Sequence, residues 1–515
     1  MIDKSINGKF INRNSKKSNI ILLCILLSLF LINTLTFRGD HDWGGDFSQY
    51  IAQAKSLVDG TISQLIENST FRYENSDSKV LAPLLYPWGF PILLAPIYFL
   101  FGFNIFVMKL FINIFFISAL AICYLTFKNE ISNIQRLLII AIIAYNPYFF
   151  YFKENILSDI PFLFFSLFSL FLIQQFIIKK RCFLNEFTSY ALIGIFVFVS
   201  YSVRANGIIL LPTLLLVQII VNKYSTEDNG RKPLRILKFS IPYIVFFIFV
   251  LITGIVLPGK NTYTDLLADI TLRQVLGNVF YYAVELSTFF AVIPKSGKII
   301  YLMTVPFVIL GLLEKLKKDY LYIIFSIFLV GLYIIFPAVQ GLRYLFPVIP
   351  FYLYFLFVGL DKMRLFLSNR KIECDIGLII GLSVILLSLL TISTNIHKQY
   401  NARNDPISGP YEEDSVQLFS YISQHTDKGS IIVFFKPSVM TLYTNRKSLR
   451  TTNIDKIMDI GEKYVEYIVC TRNELAEAEA EDPDIERLGQ RVKKIFENNT
   501  FTLYQLNLSF RNPQF

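Results

Sequence analysis

The sequence is short of charge, of cysteine and of polar residues inside its apolar runs. Only 17% of its 515 residues are Asp, Glu, Lys or Arg, where soluble domains carry about 25%. That shortfall excludes a water-soluble globule, since 54% of the residues are hydrophobic and the mean hydropathy is +0.49. The five cysteines (Cys24, Cys123, Cys182, Cys374 and Cys470) are scattered, and no pair suggests a disulfide framework or a metal-binding spacing. Internal repeats and low-complexity tracts are absent, which excludes a solenoid. Ionisable residues are nearly missing from the middles of the apolar runs. A transporter needs polar groups or broken helices near the midplane, so this absence argues against conduction through a bilayer.

In their place stand long apolar runs, with Phe in 50 copies. A spanning helix needs about 20 consecutive apolar residues, and about eleven such segments are expected. The first is Ile20 to Phe37. It follows a basic start but lacks a small-residue cleavage site, so it reads as an uncleaved span and not as a signal peptide. The others fall near 105–127, 133–150, 160–178, 187–203, 207–222, 239–257, 298–314, 320–337, 342–360 and 376–395. Tyr86 to Gly102 is apolar too, but Pro87, Pro91 and Pro96 break helical hydrogen bonding, and this stretch reads as a re-entrant or interfacial piece.

The net charge of +10 could point to nucleic acid, but the cations cluster between the apolar runs. They occur at Lys16-Lys17, Lys179-Lys180-Arg181, Arg231-Lys232, Lys315 to Lys318 and Arg370-Lys371. Such clusters mark cytoplasmic loops. With the N-terminus inside, this threading places every one of them inside and the C-terminal region outside. It also keeps four of the five cysteines in the membrane or inside, which suits an oxidising exterior. The expected organisation is a cytoplasmic basic start (1–17), a transmembrane domain (18–397) with a large outer loop (38–104), and an extracytoplasmic α/β domain (398–515). In that last domain Glu412 to His425 has helical spacing, and Ile431 to Phe435, Tyr464 to Cys470 and Phe501 to Leu506 read as strands.

The informative charges gather at the outer ends of the spans. Asp46 opens a stretch with Phe47, Tyr50, Ile51, Ala54, Leu57 and Val58 on one helical face, ended by Gly60. Such a helix lies along a membrane surface and holds Asp46 at head-group depth; Asp also favours the N-cap position. Asp40, His41 and Asp42 could bind a divalent cation together with Asp46, or be solvated acidic residues. Asp159 precedes Pro161 at the start of a span, as a helix-opening acid or as a second functional carboxylate. Arg204 and Arg343 punctuate long apolar stretches. A guanidinium binds phosphate through a planar fork, although arginines at helix ends also snorkel to lipid. Arg273 and Lys295 are weaker candidates for the same role, and Glu154 and Tyr344 lie beside these positions.

Taken in order, these residues resemble the GT-C class of membrane glycosyltransferases, which includes protein O-mannosyltransferases and aminoarabinose transferases. The resemblance lies in Asp46, Tyr50 and Ala54 before Gly60, in Tyr86-Pro87-Trp88-Gly89-Phe90-Pro91, in Ser158-Asp159, in Arg204 and in Arg343-Tyr344-Leu345-Phe346-Pro347. It covers roughly residues 18–360. Ile431 to Lys436 with Pro437, and Leu442-Tyr443-Thr444, are similar to a soluble domain of some bacterial members. The class often has Glu where this chain has Asp159, and Pro-Pro where it has Pro87-Trp88.

The resemblance implies an inverting glycosyltransferase in a bacterial inner membrane. It would use a polyprenyl-phosphate sugar donor and an envelope acceptor: a glycolipid, polysaccharide or protein. Asp46 and Asp159 are then the catalytic carboxylates. Arg204, Arg343, Tyr344, Tyr50, Glu154, Arg273 and Lys295 are the binding residues, and a divalent metal is optional. The rivals are a polymerase or ligase using polyprenyl-diphosphate glycans, which usually carries its large outer loop late in the chain, and a non-enzymatic lipid-sugar flippase.

Overall fold

The computed structural model describes residues 4–77, 84–181, 185–224, 232–257, 270–291, 296–337, 339–368, 376–401, 407–458, 465–472 and 482–507. The chain forms two compact units. One comprises Met1–Phe37, Lys109–Pro258 and Asp265–Ala402, and the other comprises Arg38–Met108, Gly259–Thr264 and Arg403–Phe515.

The protein is a polytopic α-helical membrane protein with a small C-terminal sheet. Among the described residues, seven helices are long and apolar enough to cross a membrane: Lys16–Thr36, Ile105–Thr126, Asp159–Ile178, Glu186–Val203, Ala205–Lys223, Leu237–Val256 and Gly297–Lys315. The remaining four of the eleven expected spans fall on helices that are shorter, more polar or only partly described. The stretch 133–150 is split into Asn133–Ala144 and Pro147–Phe152, because the Asn146 side chain accepts from the Tyr148 amide and Pro147 starts a new helix. The helix expected over 320–337 stops at Ile334. The one expected over 342–360 begins as a 3-10 turn, Leu342–Leu345, and its α-helix is Ile349–Ser368, with Asp361, Lys362 and Arg364 inside it. The last runs Ile376–Asn401, and its described apolar part is Gly381–Ser393. Gly89–Phe101 is a 13-residue helix, roughly 20 Å long against a hydrocarbon core of about 30 Å.

Small residues let two of the long helices meet backbone to backbone. A Cβ on Gly311 would collide with the Phe355 carbonyl, and one on Gly359 with the Phe307 carbonyl. The Gly297–Lys315 and Ile349–Ser368 helices therefore approach as small-residue membrane interfaces do.

The second unit is built on a five-stranded sheet, β1 (Ile431–Val433), β2 (Lys447–Leu449), β3 (Val465–Thr471), β4 (Val492–Glu497) and β5 (Phe501–Leu506), in the order β2-β1-β3-β5-β4. β1 pairs in parallel with β2 and β3, while β5 pairs antiparallel with β3 and β4. Its apolar core takes Ile431, Val433, Leu449, Ile468 and Leu506 from the sheet and Phe71 from the Ile62–Asn75 helix. Trp43 is 1% exposed and meets Phe419, Phe434, Phe435 and Phe501 edge-on, at centroid separations of 5.0–6.4 Å. The segment after the first span and the C-terminal region thus share one core.

Candidate functional site

In the second unit, Gly44 is the N-cap of the Gly45–Asp59 helix, and Asp46 sits in its first turn. The cap position is thus taken by a neighbour, and the Asp46 carboxylate is turned to other work. Tyr86 Oη donates to Asp46 Oδ1 at 2.7 Å. Tyr86 is itself fixed twice: Gln53 Nε2 donates to its carbonyl at 2.9 Å, and its amide donates to Gln53 Oε1 at 3.0 Å. Its ring stacks on Tyr50 at 4.5 Å, and Tyr50 meets Phe90 edge-on at 4.9 Å. Asp46, Gln49, Tyr50 and Gln53 recur at helical spacing and so share one face. Gln49 and Gln53 are buried, which makes that face a polar seam within the unit.

The three candidate metal ligands each have protein partners. Asp40 Oδ2 accepts from the Ile407 amide at 2.5 Å, His41 stacks on Phe47 at 3.7 Å, and Asp42 Oδ1 accepts from the Gly44 amide at 2.9 Å. His41 Nδ1 lies 3.0 Å from Asp42 Oδ1, while Asp40 Oδ1 lies 3.7 Å from Arg38 Nε; among the described residues no group of three or more His, Cys, Asp or Glu side chains is placed to hold a metal ion.

In the first unit, the helix ends gather a different cluster. Asp159 occupies the first turn of its helix and is 3% exposed. Arg204, in extended conformation, is the C-cap of Glu186–Val203. Arg204 Nη1 lies 2.8 Å from Asp159 Oδ1 and donates to Ser158 Oγ at 3.2 Å. The Arg204 guanidinium lies over the Tyr344 ring at 4.5 Å, and that of Arg343 lies 5.7 Å from the same ring. Arg343 also donates to Gln340. Tyr333, fully buried, packs on Tyr344 at 4.7 Å and takes a hydrogen bond from Asn206 Nδ2 at 3.3 Å. Sequence positions 159, 204, 343 and 344 are therefore brought together: two guanidinium groups about one aromatic ring, one of them oriented by a buried carboxylate.

Of the remaining expected binding residues, Glu154 accepts from Lys109 Nζ at 2.6 Å and Lys153 Nζ at 2.5 Å. Lys153 also donates to the Thr36 carbonyl at 3.2 Å and lies over Phe37 and Phe150. Burial opposes the charge on Glu154, but the two ammonium groups outweigh it and hold the carboxyl below its ordinary value. Arg273 is exposed at the start of the Leu272–Glu285 helix and has no ion-pair partner among the described residues. Lys295 lies outside the described residues.

Three residues escaped the sequence reading. Glu285 ends the Leu272–Glu285 helix and accepts from the amide of Leu342, the first residue of the turn that carries Arg343 and Tyr344. Burial raises its carboxyl, while the Leu342 amide, Thr288 and Tyr281 pull the other way. Tyr148 lies within electrostatic range of Glu285, Asp159 and Arg343. A lone acid at the end of an amphipathic helix carries no spacing signal. Lys109 did carry one, being a single cation inside the apolar run Ile105–Thr126.

No family model matches the sequence, and no curated protein matches it. Solved structures do match by fold. ArnT from Cupriavidus metallidurans, bound to undecaprenyl phosphate, aligns over 96% of this chain and 99% of its own, with a TM-score of 0.55 and 11% identity. The archaeal oligosaccharyltransferase AglB from Archaeoglobus fulgidus, in complex with an inhibitory peptide and a dolichol-phosphate, covers 87% of this chain and 69% of its own, with a TM-score of 0.50 and 13% identity. The apo form of the Archaeoglobus fulgidus oligosaccharyltransferase gives a TM-score of 0.52 at 12% identity over the same shares. At these identities the likeness is one of architecture alone.

Proposed function

We propose that this chain transfers a sugar from a polyprenyl-phosphate carrier to an acceptor of the cell envelope, at the outer face of a bacterial inner membrane. The observation that carries the reading is the cluster of Arg204, Arg343 and Tyr344 with Asp159, because a pair of guanidinium groups suits a phosphate monoester. It is supported by fold neighbours that hold undecaprenyl phosphate and dolichol-phosphate. Asp159 keeps Arg204 oriented, and Glu285 holds the turn that presents Arg343. The segregation of Lys and Arg between spans supports a cytoplasmic N-terminus and an outward C-terminal region.

Phosphate is a good leaving group, so the reaction needs little acid help. The acceptor hydroxyl oxygen forms the new bond to the anomeric carbon as the carbon–oxygen bond to phosphate breaks. The electron pair leaves on the phosphate oxygen, where Arg204 and Arg343 stabilise the growing charge. The hydroxyl proton passes to Asp46. One direct displacement inverts the anomeric centre.

The test is transfer from polyprenyl-phosphate sugars by the purified protein in nanodiscs, with the anomeric configuration of the product read by NMR. Asp46→Asn should lower turnover by about 10²- to 10⁴-fold, the share general-base catalysis supplies. Wild-type turnover in that variant, or a product of retained configuration, would overturn the assignment.

A further inference from the structure

The second unit holds a cation that the proposed reaction does not use. Arg72, on the Ile62–Asn75 helix, donates from Nη2 to Gln49 Oε1 at 2.9 Å, and Gln49 Nε2 lies 3.5 Å from Ser69 Oγ. Gln49 and Ser69 are both buried. Among the described residues no carboxylate pairs with Arg72. Its guanidinium is desolvated, which pushes it down to about 10, and the group acting on it most strongly after that is the Tyr86 phenol. The contrast within the same unit is Arg446, four of whose donors are taken by the hydroxyl and carbonyl of Thr426 and the carbonyls of Thr444 and Ser423. A guanidinium has five N–H donors, and a desolvated charge is costly unless an anion offsets it.

The position of this cation matters. Gln49 stands three residues after Asp46 on one helix, about 4.5 Å along its axis. Tyr86, which Arg72 senses, donates to Asp46. Arg72 keeps part of its surface exposed, which gives a solute a route to it.

We infer that Arg72 binds an oxyanion of a substrate, a phosphate or carboxylate group, in a subsite beside Asp46. The inference rests on reading Asp46 as the group that receives the acceptor proton. The oxyanion then belongs to the acceptor or to the donor lipid, and both present the same chemistry to a guanidinium.

The test uses the full-length protein in nanodiscs of zwitterionic lipid, treated with phenylglyoxal. Modification of Arg72 is followed by peptide mass spectrometry in inorganic phosphate, acetate or chloride at equal ionic strength. Phosphate and acetate should slow modification about tenfold relative to chloride, the scale of a charge-assisted contact. Equal rates in the three salts overturn the inference, as does an Arg72 that stays unmodified in chloride and so is closed to solutes. Polyprenyl phosphate in the nanodisc then separates the sources. Protection of both Arg72 and Arg343 assigns the oxyanion to the donor; protection of Arg343 with Arg72 still reactive assigns it to the acceptor. If polyprenyl phosphate leaves Arg343 unprotected while inorganic phosphate still protects Arg72, the transfer reading fails and the oxyanion site stands. Arg446, buried and with four of its five donors engaged, should stay unmodified throughout and reports an intact fold.

Discussion

Replacing Glu154 by Gln should destabilise the helical unit strongly, whatever it does to activity. The carboxylate sits between Lys109, whose side chain is 0% exposed, and Lys153, which is 4% exposed. At an effective dielectric of about 20, each of the two contacts has a gross attraction of roughly 6 kcal/mol, set against the cost of desolvating three charges. Removing the shared anion leaves two buried ammonium groups repelling each other, and breaking a buried pair costs about 3–5 kcal/mol. The assay is the melting temperature in nanodiscs for the wild type, Glu154→Gln, and the triple variant Lys109→Met, Lys153→Met, Glu154→Leu. The triple variant should recover most of the loss, because an apolar replacement of the whole triad leaves no stranded charge. The sign with pH follows. The Glu154 carboxyl is held below its ordinary 4.5, so its contribution is present above that value and is lost as pH falls through the lowered one. Glu154→Gln should flatten that acid limb. A single variant as stable as the wild type, or a triple variant weaker than the single one, would refute the reasoning.

Other substitutions probe other parts of the account. Gly359→Leu places a side chain against the Phe307 carbonyl and should cost at least the 1–3 kcal/mol typical of overpacking, seen as a lower melting temperature. Trp43→Ala empties the centre of an aromatic cluster and should cost about 3–5 kcal/mol, with protease sensitivity appearing first in the C-terminal region. Glu285→Ala frees the Leu342 amide and should weaken phosphate binding through Arg343 without touching phosphate itself, while Glu285→Gln, which can still accept from that amide, should retain most of it.

The spans were legible because apolar runs and the cations between them are local properties of the chain. Their ends were less so. Asn146-Pro147 splits one expected span by capping chemistry that an apolar average conceals, and the Gly341 turn delays another so that Arg343 and Tyr344 lie on a short 3-10 segment. β2 and β4 escaped notice because Lys447, Lys493, Lys494 and Glu497 dilute the strand signal at the two sheet edges. The association of Trp43 and Phe71 with the C-terminal core spans hundreds of residues of sequence, and no periodicity encodes it. The residues of the candidate clusters were visible as charges in apolar surroundings, whereas their partners were not. Nothing in the sequence says that Asp159 faces Arg204, that Tyr86 reaches Asp46, or that His41 pairs with Asp42.

The most direct test of the central claim is carrier binding. The protein in nanodiscs is titrated with polyprenyl monophosphate and with polyprenyl diphosphate, alongside Arg204→Ala and Arg343→Ala. The account predicts preference for the monophosphate, weakened about tenfold or more by either substitution, the worth of one charge-assisted contact. Preference for the diphosphate, or binding unchanged in both variants, would contradict it.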